Sequence, residues 1–153
     1  MSYDDKYKDE LGFDSTTHYN SLMLAADRFW NKEKKPLNYD EFVDESLRGY
    51  EKARVAAERD GAVYFPNVTC GWDTNSRYPA DNVQLMVHKA NPKDFERFLR
   101  GAKDFVDKKL PKGLPKLVTV NSWNEWTEGS YLEPDDHFGY GYLNALQRAF
   151  SAE

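Results

Sequence analysis

A chain of 153 residues with 40% hydrophobic and 31% charged side chains is long enough for one domain with its own core and is not disordered throughout. Its formal charge of −5 and lack of a basic stripe exclude a general phosphate-backbone binder, so no nucleic acid partner is expected. No window reaches the ~18 apolar residues of a membrane span, and MSYDDKYKDE at the start lacks the apolar core of a signal peptide, so the chain reads as cytoplasmic.

Residues 12–19, GFDSTTHY, carry β-branched and aromatic side chains and read as a short strand ending in polar groups. The basic stretch 32–35 reads as a solvated loop. Tyr39, Phe42, Val43, Leu47, Tyr50, Ala53 and Ala57 recur at three- and four-residue intervals, the stripe of a helix with one buried face. Asn38 and Glu41 suit its capping box, and Gly61 its end. Residues 62–68, AVYFPNV, form an apolar run of strand length, which Pro66 is expected to end because it lacks a ladder donor. Asn67, Val68 and Thr69 also match the glycosylation sequon. The single cysteine, Cys70, gives no internal disulfide and no metal or redox motif.

Beyond the polar stretch TCGWDTNSRYP, Asn91 caps and Pro92 opens a helix in which Phe95, Phe98, Leu99, Ala102, Phe105 and Val106 keep helical spacing. PKGLPK ends it, residues 117–121, LVTVN, form a compact strand, and Tyr142, Leu143, Leu146 and Phe150 mark a last helix. Strand and helix thus alternate three times, the order of an α/β fold with parallel strands and right-handed helical crossovers.

In such folds ligand sites lie at the strand C-terminal ends. HYN follows the first strand, GWDTNSR the second and WNEWTEG the third, as a barrel mouth requires, although any solvated loop is also polar. Three strands cannot close an eight-stranded barrel, which needs about 250 residues. Residues 1–153 therefore read as a single partial domain of parallel (β/α) units, the C-terminal part of a TIM-type (β/α)8 barrel within a larger catalytic domain. Assembly of several copies, or a smaller open α/β domain, are the alternatives. A native half-barrel would self-associate through its unpaired edges and exposed apolar surface.

Glu125 and Glu128 lie three residues apart just past a strand, where a tight turn can aim both into one cavity. Two neighbouring acids can diverge in pKa and supply a base and an acid together, and Trp123 and Trp126 could furnish apolar walls. Sugar cleavage needs a proton for the leaving oxygen and negative charge beside an oxocarbenium-like centre, which such a pair provides. An E-x-x-E spacing alone is weak, because such pairs are common on solvated helices.

NSWNEWTEGSYLEPD followed by FGYGYLNAL resembles the C-terminal signature of the WbsX-type, glycoside hydrolase family 99-like group, with GWDTNSR and GFDSTTHYN as supporting matches. The resemblance spans most of the chain, and its specific part is residues 121–146. It implies a (β/α)8 barrel and, for the true hydrolases of the group, retaining endo-acting cleavage of α-mannosides in polysaccharides or N-glycans through the substrate's own 2-hydroxyl. Carried over through N-E-W-x-E-G, Glu125 would deprotonate that hydroxyl, and Glu128 would protonate the leaving oxygen and then activate water. Asn124, within the motif, joins Trp123 and Trp126 as a substrate-binding candidate.

Thr127 stands where those hydrolases usually carry His, and SYLEP replaces a different polar run. Both departures favour the WbsX-like branch, which is associated with polysaccharide biosynthesis and labelled glycosyltransferase. No Gly-rich phosphate cradle or Asp-x-Asp pair for a nucleotide-sugar donor is present. A non-catalytic glycan-binding remnant is the third reading.

Trp72, Asp73 and Arg77 at the second strand's mouth are further candidates for binding sugar, through ring stacking and polar contacts; the competing reading is a loop ion pair. His18 and Tyr19 hold the analogous place after the first strand. Glu133, Asp135, Asp136 and His137 read as a solvated helix-entry loop stabilised by the helix dipole, in preference to a cation site. The expected partner is an oligosaccharide or polysaccharide, with no cofactor and no metal.

Overall fold

A computed structural model describes residues 10–26 and 37–151; the basic stretch 32–35 lies outside the described residues. Its elements in chain order are β1 (Ser15–Thr16), β2 (Leu37–Asn38), α1 (Tyr39–Arg59), β3 (Val63–Tyr64), β4 (Asn67–Thr69), β5 (Val87–His88), α2 (Pro92–Lys109), β6 (Thr119–Asn121), β7 (Asn124–Glu125), β8 (Ser130–Tyr131) and α3 (Gly141–Phe150). Single 3-10 turns occupy Ser21–Met23, Asn75–Arg77 and Trp126–Glu128.

The alternation of parallel strands and helices is as expected from the sequence. β1 pairs with β3 in parallel, Ser15 opposite Val63, and β4 pairs with β6 in parallel, Asn67 opposite Thr119. β3 and β4 are two halves of one extended run, each serving a different neighbour. Pro66 separates them, as expected of a residue without a ladder donor: β3 ends ahead of it and β4 begins after it. It has no N–H to donate, but its carbonyl accepts from Thr119 N at 3.0 Å, while Phe65 N donates to Thr16 O at 2.9 Å. The first strand is shorter than residues 12–19, because Gly12 has φ +68° and turns the chain before Ser15. β2 and β5 form a separate parallel pair, extended by a bridge from Trp72 to Val87.

α1 begins where the capping residues place it: the Asn38 N–H donates to Glu41 Oε2 at 3.3 Å. It stops at Gly61, whose φ of +68° suits glycine. In α2 the Asn91 side chain accepts from Asp94 N at 3.0 Å, and all six apolar positions read from the spacing are buried. Phe98 packs edge-on to Phe42 at 6.1 Å and against Tyr50 at 6.2 Å, and Phe95 meets Tyr142 of α3 at 5.3 Å. α3 forms where Tyr142, Leu143, Leu146 and Phe150 mark it. Tyr142, Ala145 and Ala149 are buried while Phe150 is 44% exposed, since the small alanines let the helix lie close to α2.

Behind the strands, tyrosine hydroxyls satisfy backbone carbonyls that α-helices cannot reach. Tyr50 donates to Asn67 O at 2.7 Å and Tyr39 to Thr69 O at 2.6 Å. The sequon residues Asn67, Val68 and Thr69 are no more than 2% exposed, and Asn67 is bonded to Ser21 and Thr119, so they are strand interior and not an acceptor site. Cys70 is buried as well, which pushes its thiol pKa up. No helix among the described residues is long and apolar enough to cross a membrane.

Truncating Phe98 to Ala in this fully buried cluster is expected to cost about 3–5 kcal/mol, read as a lower urea midpoint at unchanged m-value. The protein should also lose stability as pH rises past 10. Burial raises the Tyr39 and Tyr50 phenols well above their ordinary 10.0. The folded state therefore holds their protons more tightly than the unfolded chain, and the stability this provides is complete below pH 10 and is lost above it. A pH series of thermal melts, in which Tyr50→Phe flattens the alkaline slope, checks this.

Candidate active site

Past β6 the chain turns back on itself as a hairpin, β7 against β8, with Glu125 opposite Ser130. Ser122 Oγ donates to Ser130 O at 2.8 Å and accepts from Glu125 N at 3.1 Å, which fixes the hairpin to the strand end. The turn between its arms, Trp126–Glu128, closes on Gly129 with φ +60°. This turn docks on the loop after β4: Asp73 N donates to Glu128 O at 2.7 Å. A Cβ on Gly71 would lie 2.5 Å from Gly129 O, so only glycine permits the approach.

Docking brings Glu125 and Glu128 under one guanidinium. Arg77 Nη1 lies 2.9 Å from Glu128 Oε1 and Nη2 lies 2.9 Å from Glu125 Oε1. The Thr127 hydroxyl donates to Glu125 Oε1 at 2.7 Å and accepts from Arg77 Nε at 3.0 Å. Tyr19, arriving from the end of β1, donates to Glu128 Oε2 at 3.0 Å. Glu128 is 7% exposed, with donors on both oxygens, whereas Glu125 is half-buried. Arg77 is itself substantially exposed, so these pairs add little stability; what they fix is geometry. Desolvation first, then the bond to Glu128, raises the Tyr19 pKa, so its hydroxyl keeps its proton.

The remaining sequence candidates divide. His18 is tied to Tyr64 through Nδ1 at 3.1 Å, and burial lowers its pKa, so it is a neutral packing group. Asp73 accepts from Asn75 N at 2.9 Å and from Asn75 Nδ2 at 2.7 Å, which shapes the Arg77 loop. Trp72 packs against the core. Trp123 and Trp126 are both substantially exposed. Trp126 stacks on Tyr131 at 3.8 Å and donates to Glu133 at 2.7 Å, leaving it 48% exposed, and Trp123 is 54% exposed. Asn124 is exposed on β7.

Asp135 accepts from the His137 N–H at 3.0 Å and from the Phe138 N–H, a loop closure ahead of α3, and no metal-ligand cluster occurs among the described residues. Thr127 and Tyr131 enter the site without having been singled out as binding groups. Thr127 is visible in the sequence only as a departure from the resemblance, and the pairing of Tyr131 with Trp126 depends on a hairpin register that spacing does not reveal.

Gly71→Ala should push Gly129 back and misplace Glu128 while leaving the helices intact. The expected outcome is unchanged far-ultraviolet circular dichroism, with loss of about 10²-fold in any function that depends on carboxylate placement.

Comparisons with known proteins give relatives in sequence and a likeness in fold. The uncharacterized protein WxcX of Xanthomonas campestris pv. campestris is 28% identical over 144 residues, which is 93% of this chain and 20% of WxcX. The WxcX of a second strain is 27% identical over the same length. A solved "glycoside hydrolase-like protein" shares the fold with TM-score 0.61 at 18% identity, over 92% of this chain and 38% of its own. The chain thus spans about a fifth of the curated relatives and under half of the solved structure. The model of the glycosyltransferase WbsX family matches residues 3–146, and the chain belongs to that family.

Proposed function

We propose that this chain supplies the C-terminal, carboxylate-bearing part of a (β/α)8 barrel that cleaves glycosidic bonds, of the α-mannoside type implied by the family 99 resemblance. One observation carries the reading. Two glutamates, an arginine and a tyrosine from three successive βα loops meet at the C-terminal ends of parallel strands, where barrel enzymes hold their sites.

In the reaction this implies, the Glu125 carboxylate takes the proton of the substrate 2-hydroxyl, whose oxygen attacks the anomeric carbon. The bond to the leaving oxygen breaks as protonated Glu128 delivers its proton there. Glu128 then takes a proton from water as the water opens the 1,2-anhydro ring, and Glu125 returns its proton to the 2-oxygen. The Tyr19 hydroxyl suits this alternation, since it can donate to ionised Glu128 or accept from the protonated acid. Arg77 holds both side chains within one guanidinium span, and the exposed Trp123 and the Trp126–Tyr131 stack offer flat faces to neighbouring sugar rings.

A second reading, transfer of a sugar from an activated donor, is favoured by the description of the family. The two separate in one assay on the full-length protein with α-mannan as substrate. Donor-free release of reducing ends, lowered about 10²- to 10⁴-fold in Glu125→Gln and in Glu128→Gln with retained glycan binding, is the expected result. Product that forms only with a nucleotide sugar would replace hydrolysis with transfer. Full activity in both variants would overturn the assignment of the carboxylates.

A further inference from the structure

Asn121 ends β6 and is 2% exposed, yet neither its Nδ2 nor its Oδ1 has a hydrogen-bond partner. Its backbone is fully engaged: the carbonyl accepts from Cys70 N at 2.8 Å and from Ser130 Oγ at 2.8 Å. Buried polar side chains of the neighbouring strand and of the site are bonded. Asn67 and Thr69 are bonded to each other and to Ser21, and Glu128 is held by Tyr19 and Arg77. A buried amide can make up to four hydrogen bonds, and leaving them unmade is costly. A hydrophobic side chain of equal size would be the more stable choice for the fold alone.

The amide lies at the C-terminal end of its strand, the end at which the loops build the site, and is close to the Tyr19 hydroxyl. We propose that Asn121 is a specificity-determining residue that reads two adjacent hydroxyls of the sugar ring bound beside Glu128. Oδ1 accepts from one hydroxyl and Nδ2 donates to its neighbour, a match between the planar amide and a vicinal diol. Tyr19, largely exposed, pivots about its bond to Glu128 to admit the ring and keeps that bond. The inference rests on the glycan-binding reading of the site.

Asn121→Leu in the full-length protein tests it, with α-linked mannobiose and its monodeoxy derivatives as probes, in a Glu125→Gln background that blocks turnover. The background protein should bind mannobiose and lose about 10- to 100-fold when one hydroxyl is removed. Asn121→Leu should lose a similar factor and then be indifferent to that same removal. Its melting temperature should stay level or rise by about 2–4 °C, which a structural role for the amide would not allow. A fall in melting temperature, unchanged mannobiose affinity, or a deoxy effect that persists in the variant would each overturn the proposal. Failure of the underlying reading looks different: the background protein itself binds no mannobiose, and the proposal falls with it.

Discussion

The extended run from Val63 to Thr69 holds the fold together because each of its halves is hydrogen-bonded to a different strand. Proline at its centre makes the division cheap, since Val63 and Phe65 supply the donors toward Asp14 and Thr16 while Pro66 still accepts from β6. Three strands are thereby kept in parallel and in sequence order, so that the loops after β1, β4 and β6 leave from the same end. The candidate site depends on that coincidence: Tyr19, Arg77 and the two glutamates come from three loops and have no other reason to meet.

The helices then cover one side of this small sheet with an unusually aromatic layer. Tyr50, Phe98 and Phe105 pack ring on ring, and the phenol hydroxyls reach through to strand carbonyls that short strands leave unpaired. With strands of only two or three residues, ladder bonds alone are few. Side-chain hydroxyls from Ser21, Thr69, Tyr39 and Tyr50 complete the pairing that buried backbone requires. The same dependence on buried phenols is what ties stability to alkaline pH.

How far the sequence discloses this structure follows from the range of each signal. Periodicity located α1 and α2 with their caps, because spacing and capping are local. Pro66 marks the end of the strand paired with β1 as its missing donor suggests, but the new pairing that begins at Asn67 depends on a neighbour distant in sequence. In the last helix the large apolar side chains dominate the pattern that locates it, while close helix packing buries Ala145 and Ala149. In the site, Glu125, Glu128, Arg77 and Tyr19 could be named from their positions after strands. That Arg77 grips both carboxylates could not, because a contact across 48 residues leaves no trace in spacing. Trp123 and Trp126 were read as walls from adjacency alone, and the hairpin register turned Trp126 toward Tyr131.

The two motifs after β4 and β6 are physically one unit. Gly71 admits the Gly129 carbonyl, Asp73 binds the Glu128 backbone and shapes the turn carrying Arg77, and Arg77 returns to Glu125, Thr127 and Glu128. Thr127 is central to this circuit, since its hydroxyl bonds Glu125 and Arg77 at once. The residue in which this chain departs from the family 99 hydrolases it resembles therefore sits between the Glu125 carboxylate and the Arg77 guanidinium. A histidine there would present a ring nitrogen in place of a rotating hydroxyl and would compete with Arg77 for Glu125. The departure and the arginine have to be understood together: with threonine, the orientation of Glu125 is delegated to a residue on the neighbouring loop, and the chemistry of the pair becomes a property of how the two loops dock.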